Sequence, residues 1–514
     1  MPVSARVSRL PRRWPLWIGL GLVLRLAFIC FPRTIDDDTW DYLELGRNLL
    51  HHGVYGLGVG DDLSPSLFRL PGYPILLAVC DQLFGHLPHG GWLVALYLLQ
   101  SMADVGGGLL LAVFAYRWIS PRAGEITLAL AMLCPFTAAE AGIAMTECLS
   151  IFAVSLGIYA AGRILAAETA GSRDTCSLIL AGGAAALAML LRPDGVLLFV
   201  ALAAGLFFYV LRGRAARDMR FALIPVPESP YPEASAAEWH FPQENATFHP
   251  LKRARKSWNR SGRSLMTTSI YCAVALTPMA MWTVRNWVSL EVFQPLAPRY
   301  LNDPGDRVNF GIYRWMRTWS VEYVSTATVF WRVGLGPIDP GDLPARAFDS
   351  PAQREQTLAL LDAYNRTNSD SGELDSRFAA LAAERIHANP FRYYAWLPLL
   401  RTADMILRPR TEEFNLEVFW WSWSDHPAQT CGAILVGLIN FFYVAAAAWA
   451  FLRRRVPWPW MLGGYIVLRC LLLGTMENSE PRYSLECFPI FIVAAAAALS
   501  HSKPIPSQMP VAPS

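Results

Sequence analysis

Lysine is almost missing from this 514-residue chain: only Lys252, Lys256 and Lys503 occur, so nearly all its positive charge is arginine. That bias reads as genome composition and carries no functional inference. Charge of either sign is scarce, at 17% of residues against 54% apolar. A soluble domain averages about 25% charged residues, so a single cytosolic globule is disfavoured. The net charge of +3 is not gathered on a polar face, which argues against a nucleic-acid partner. All nine cysteines lie in or beside apolar segments and none falls in the polar stretch 291–427, so that stretch is not a disulfide scaffold. There is no CxxC pair, HExxH helix or P-loop, which removes the metal and nucleotide readings those motifs carry, and no internal repeat is visible.

What is abundant is apolar sequence in runs long enough to cross a bilayer, which takes about 20 residues each. Ten spans are expected, at 14–32, 92–117, 124–141, 147–165, 176–191, 194–211, 266–288, 428–452, 457–474 and 484–501. The first is interrupted by Arg25 and followed by no small-residue cleavage site, so it reads as a signal anchor. Arg6, Arg9, Arg12 and Arg13 precede it, which puts the N-terminus in the cytoplasm by the positive-inside rule. Alternation then places the loops 33–91 and 289–427 outside, and the basic linker 212–264 and Arg453–Arg455 inside. That topology holds if 391–408, with Arg401 and Asp404 at its centre, lies at the outer surface as a helix. A helix is also expected to open at Ser350-Pro351. Three regions follow: a membrane module at 1–290, an extracytoplasmic region with surface helices at 291–427, and C-terminal helices with a short tail at 428–514.

The first outer loop carries the most chemistry. Tyr42, Leu45, Leu49 and Leu50 fall on one stripe, so an amphipathic helix begins near Asp38 and closes at His51, His52 and Gly53. Asp36, Asp37, Asp38 and Asp41 crowd its N-terminal end. One carboxylate suffices as a cap; four leave room for a second purpose. Further along, Glu147 opens the fourth span, Leu191-Arg192-Pro193-Asp194-Gly195 turns a hairpin, and Glu480-Pro481-Arg482-Tyr483 precedes the last span. Each has a plain reading, as helix cap, turn punctuation and headgroup-level anchor respectively.

The string Asp38-Thr39-Trp40-Asp41-Tyr42-Leu43-Glu44-Leu45-Gly46-Arg47-Asn48-Leu49, with Phe68-Arg69-Leu70-Pro71-Gly72-Tyr73-Pro74, resembles the first-loop signature of GT-C glycosyltransferases. Ala144-Met145-Thr146-Glu147, the Arg192–Asp194 turn and the Arg482-Tyr483 pair look like further stretches of that family, in the expected order. The resemblance covers the first 210 residues well, the last 40 weakly and the middle hardly at all. It implies an all-α polytopic membrane protein, a GT-C-like bundle of about 10–13 transmembrane helices with a helical first outer loop and a small extracytoplasmic region.

The resemblance also implies an activity: transfer of a sugar from a polyprenyl-phosphate donor to a lipid, glycan or protein acceptor at the outer face of the inner (plasma) membrane, by inverting single displacement. Asp38 takes the matched base position, with Asp37, Asp41, Tyr42, Asp194 and Tyr483 in supporting, sugar-binding or acceptor-binding places. Arg69, Arg192 and Arg482 suit the donor phosphate, because guanidinium binds phosphate bidentately and keeps its charge. The short segment 73–85 could line the groove for the lipid tail. No cofactor is required; Glu147 with a first-loop acid could hold Mg²⁺ or Mn²⁺. The chief rival is a transporter or flippase, which places ionisable groups near the midplane; here Arg25 and Asp104 are expected to be the only ones well inside spans. A polysaccharide polymerase or ligase using lipid-diphosphate donors is a second rival. Phe419-Trp420-Trp421-Ser422-Trp423 reads as an interfacial aromatic belt with sugar stacking as the alternative, and Asn365-Arg366-Thr367 is a glycosylation sequon.

Overall fold

In the computed structural model, residues 11–30, 37–88, 90–170, 172–212, 250–367 and 371–500 are described, with backbone only at Asp37, 250–260 and Thr367. Arg6, Arg9, Asp36 and the 213–249 part of the basic linker lie outside the described residues. Helices dominate. Among the described residues the one strand pairing is a two-stranded antiparallel ribbon, β1 (Gly56–Leu57) with β2 (Ser64–Pro65).

Each of the ten apolar runs is helical. Among the described residues, six helices are long and apolar enough to cross a membrane: Gly91–Trp118, Glu147–Thr169, Pro193–Arg212, Ser261–Leu290, Pro427–Leu452 and Pro481–Leu499. A seventh candidate is the pair Pro121–Met132 and Pro135–Ala141, bent by 51° at its break. Shorter helices form the other three expected spans: α1 (Trp14–Cys30), α8 (Thr175–Leu191) and α17 (Pro459–Gly474). The fourth to seventh helices in chain order are α4 (Gly91–Trp118), α5 (Pro121–Met132), α6 (Pro135–Ala141) and α7 (Glu147–Thr169). After α8 come α9 (Val196–Arg212) and α10 (Pro250–Leu290); α16 (Pro427–Leu452) and α18 (Phe488–Leu499) flank α17. The molecule is an all-α polytopic membrane protein.

The bend has an identifiable cause. Pro135 lacks an N–H, which interrupts the helical ladder at the end of α5. Arg25 of α1 takes up the released carbonyls: Nη2 donates to Ala131 O at 3.1 Å and Nη1 to Met132 O at 2.5 Å. The same guanidinium donates to Asp104 Oδ2 through Nε at 2.9 Å and Nη2 at 2.5 Å, and the Thr137 hydroxyl donates to that oxygen at 3.3 Å. Both charges are buried and mutually satisfied.

The hairpin between α8 and α9 reverses through a single 3₁₀ turn, Pro193–Gly195. Only glycine fits its end, since a Cβ on Gly195 would come within 2.2 Å of the Ala188 carbonyl oxygen.

The 291–427 region has a core of its own. Trp315, Trp319, Tyr364 and Phe378 pack between α11 (Phe310–Arg317), α13 (Pro351–Thr367) and α14 (Gly372–Ala388). The helix expected at Ser350-Pro351 is there, with Ser350 Oγ accepting from Gln353 N at 3.1 Å. The segment 391–408 is not among the described helices able to cross, and Phe391, Tyr394, Trp396, Leu399 and Leu407 are exposed along it. It forms a π turn (Arg392–Trp396) and α15 (Leu397–Leu407) packed on α17, with Arg401 buried and donating to Ser320 O and Gly474 O at 2.7 and 3.1 Å. A guanidinium that satisfies backbone carbonyls can be buried where a free one could not. The sequon asparagine is similarly occupied: Asn365 exchanges two 2.8 Å hydrogen bonds with the Ile338 backbone. Phe419, Trp421 and Trp423 are exposed.

Candidate active site

The first loop builds one wall. Helix α2 (Asp37–His52) buries Tyr42 and Leu45 and ends where Gly53 adopts φ 71°; Leu50, expected on the buried stripe, is exposed. It packs on α3 (Gly72–Phe84), clamped by Arg47, which donates to both Asp81 oxygens at 2.8 Å. The Thr39 hydroxyl donates to Ala144 O at 3.0 Å, fastening the start of α2 beside the turn before Glu147. After the ribbon the chain returns to present Arg69, whose Nη2 lies 2.5 Å from Asp38 Oδ1 and 4.0 Å from Asp41 Oδ2. Its guanidinium lies over the Tyr42 and Phe68 rings, with Nε buried and lacking a hydrogen-bond partner. Burial pushes the Tyr42 hydroxyl up to about 12, although Arg69 pulls the other way, so it remains a proton donor at neutral pH. Asp38 keeps 31% of its side chain exposed.

The second wall is assembled from helix ends far apart in the chain. Glu147 is the first residue of α7, and its Oε1 accepts from Arg192 Nη1 at 2.5 Å, with Arg482 Nε at 3.9 Å. Arg192 also reaches Asp194 at 3.2 Å and Glu486 at 3.5 Å through Nε. Arg469 Nη2 bridges Asp194 at 2.9 Å and Glu486 at 2.5 Å. Arg482 Nε donates to Glu480 Oε2 at 2.6 Å. Tyr483 lies under both the Arg192 and Arg482 guanidinium groups, at 5.3 and 5.6 Å, and its hydroxyl donates to Glu480 Oε1 at 2.9 Å. The two walls share one field: Arg482 interacts electrostatically with Asp38, and Tyr42 with Glu147 and Arg192.

The sequence-derived candidates Asp38, Asp41, Tyr42, Arg69, Glu147, Arg192, Asp194, Arg482 and Tyr483 therefore meet in one cluster; the Asp37 side chain lies outside the described residues. Several plain readings do not hold. Glu147 does more than sit in the first turn of its helix, since its carboxylate also faces Arg192 and Arg482. Asp194 does more than punctuate a turn, since it anchors Arg469. Arg482 is ion-paired within the protein, unlike a headgroup-level anchor. Arg25 and Asp104 are also not the only charges inside apolar runs, for Arg469 and Glu486 are buried there too. Their signal was available: an isolated ionisable residue within an apolar run.

The Glu147 carboxylate faces two guanidinium groups, and among the described residues no three His, Cys, Asp or Glu side chains gather as a metal site.

No protein-family model matches the chain, and no curated protein matches it. Among solved structures, it is similar to archaeal oligosaccharyltransferase AglB from Archaeoglobus fulgidus in complex with an inhibitory peptide and a dolichol-phosphate. That match has 13% identity and a TM-score of 0.41, over 94% of this chain and 49% of that one. It is also similar to ArnT from Cupriavidus metallidurans bound to undecaprenyl phosphate, with 14% identity and a TM-score of 0.35, over 94% and 77%. The chain thus spans about half the length of the archaeal protein. What its own residues establish is a helical membrane protein whose separated polar motifs close into a single arginine–carboxylate cluster.

Proposed function

We propose that this protein is a membrane glycosyltransferase of the GT-C kind, moving a sugar from a polyprenyl-phosphate donor to a lipid, glycan or protein acceptor. The observation that carries the reading is the convergence of Asp38, Arg69, Glu147, Arg192 and Arg482, from four separated segments, where successive helices begin and end. By the positive-inside rule this end faces the periplasm or exterior, with the N-terminus cytoplasmic.

The proposed chemistry follows from charge. The acceptor oxygen attacks the anomeric carbon as the bond to phosphate breaks, and the acceptor proton passes to the partly exposed Asp38 carboxylate. Arg69 positions that carboxylate through its 2.5 Å contact. Negative charge develops on the departing polyprenyl phosphate, and Arg69, Arg192 and Arg482 stabilise it. Single displacement inverts the anomeric configuration. Exposed Ile75, Val79 and Leu83 on α3 give the lipid tail an apolar surface. Transport needs a charge that can change partners, whereas Arg25 and Asp104 are locked to each other and to α5.

The test is donor class. Membranes containing the protein are supplied with labelled undecaprenyl-phosphate-linked sugars or nucleotide sugars, with polyprenol synthesis blocked. Label transfer from the lipid-linked donors alone is expected; equal use of a nucleotide sugar overturns the reading. A reporter fused at residue 350 should report the extracytoplasmic side.

A further inference from the structure

Beside the first outer loop, the 291–427 region holds a cavity of about 310 Å³. It is lined by Tyr300, Asn302, Asp306, Arg307, Asn309 and Tyr313, with two aliphatic side chains. That size lies at the small end of the range for pockets that take small-molecule ligands.

The fold leaves much of this lining unspent. Asn309 stands where α11 begins, the position at which asparagine ordinarily caps a helix. Its side chain caps nothing here, because Asp375 Oδ1 accepts from Gly311 N at 2.8 Å and Ile312 N at 3.0 Å instead. Asn309 Oδ1 is left on the cavity wall without a hydrogen-bond partner, which is rare for an enclosed polar atom. Arg307 forms no ion pair among the described residues, and its Nη2 occupies room that a Cβ on Gly372 would contest at 2.9 Å. The Tyr300 and Tyr313 rings stack at 5.2 Å and 6°, which stiffens one side of the cavity.

The chemistry of the lining selects a ligand class. Arg307 only donates, the Asp306 carboxylate only accepts, and the amides of Asn302 and Asn309 do both. A sugar hydroxyl likewise donates and accepts, so a mixed lining matches a saccharide, whereas a phosphate headgroup calls for donors alone. An acyl chain would find little apolar surface.

The loop carrying the cavity is anchored to both walls of the arginine–carboxylate cluster. Asp303 Oδ1 accepts from Leu67 N at 2.5 Å, two residues before Arg69. Arg299 Nη2 donates to Thr475 O at 2.6 Å and Glu477 Oε2 at 2.8 Å, three residues before Glu480. Ser479 N donates to Thr326 Oγ1 of α12 (Tyr323–Thr328) at 2.8 Å, holding that segment in place. At about 3.5 Å per residue, these anchors lie within about 7 Å of Arg69 and about 11 Å of Glu480 along the chain.

We propose that this cavity binds a sugar ring of the acceptor, which makes the acceptor a glycan. The proposal rests on the glycosyltransferase reading and names the acceptor class for it.

The experiment titrates the purified full chain with mannotriose, cellotriose and chitotriose, and separately with undecaprenyl phosphate and a serine- and threonine-containing tripeptide, by native mass spectrometry. The wild type should bind at least one trisaccharide. Asn309→Ala and Arg307→Ala should each weaken that binding about tenfold and leave undecaprenyl phosphate binding within twofold; Arg482→Ala should do the reverse. Asp375 caps α11 without help, so Asn309→Ala is expected to fold; Asn302→Ala is a second variant with the same readout. A wild type that binds no trisaccharide overturns the proposal, as does trisaccharide binding unchanged in all three cavity variants. Binding of the tripeptide in place of the sugars, lost in the same variants, also overturns it and assigns the cavity to a protein acceptor. A wild type that binds a trisaccharide through the cavity but no undecaprenyl phosphate overturns the glycosyltransferase reading while the sugar site stands.

Discussion

Two buried arginine–carboxylate assemblies stand in the same helical bundle and differ in how completely they are satisfied. In the first, Arg25 distributes its donors among Asp104, Gly21 O, Ala131 O and Met132 O, and both side chains are buried. In the second, Asp38, Arg69, Arg192 and Arg482 keep part of their side chains open, while Arg69 Nε and Glu486 Oε1 are buried without a hydrogen-bond partner. The first joins α1 and α4 to the bend between α5 and α6. The second is ion-paired but less completely hydrogen-bonded and partly open to solvent, as groups that meet a substrate must be.

Removing one partner of the closed assembly gives the largest expected effect. Arg25→Ala strands Asp104 in an apolar interior and should cost about 3–5 kcal/mol, read as lost thermal stability in detergent and lower abundance. If Arg25→Met with Asp104→Leu is no more stable than Arg25→Ala alone, the assembly is more than a joint. At the open cluster the effect should fall on turnover instead. Asp38→Asn is expected to lower sugar transfer by about 10²-fold or more with abundance unchanged; normal transfer would remove Asp38 as the base.

Arg482→Lys keeps the charge but loses the planar fork, and should weaken undecaprenyl phosphate binding by about tenfold. Binding equal to wild type would shift the phosphate contact to Arg69 and Arg192. The smallest effect concerns Asp404, whose carboxyl burial raises to about 6 against Arg408. A raised acid favours the fold while protonated, so that stability is full below the ordinary carboxylate range and fades as pH rises through 6. Asp404→Asn should flatten this dependence, a change on the order of 1 kcal/mol between pH 5 and 8 in thermal melts.

Much of this was legible in the chain. Ten apolar runs became ten helical segments because a backbone in an apolar setting must satisfy its own hydrogen bonds. The break at Arg192–Gly195 and the helix at Ser350-Pro351 were readable from local turn and cap chemistry. Leu50 was misplaced because a stripe drawn from spacing does not reveal where the burying partner ends. The burial of Arg401 is not readable from its neighbours, because the carbonyls that receive it, on Arg317, Ser320 and Gly474, are far away in sequence.

Sequence by itself determined the membrane-bound helical character, the positions of the apolar runs and the polar motifs between them, since hydropathy and turn propensity act over neighbouring residues. The tertiary structure alone decided which charges meet. Asp194 and Arg469 are 275 positions apart and lie 2.9 Å from one another, and Arg25 is 79 positions from Asp104. Such pairings depend on how helices pack in three dimensions, and no local rule of spacing encodes that.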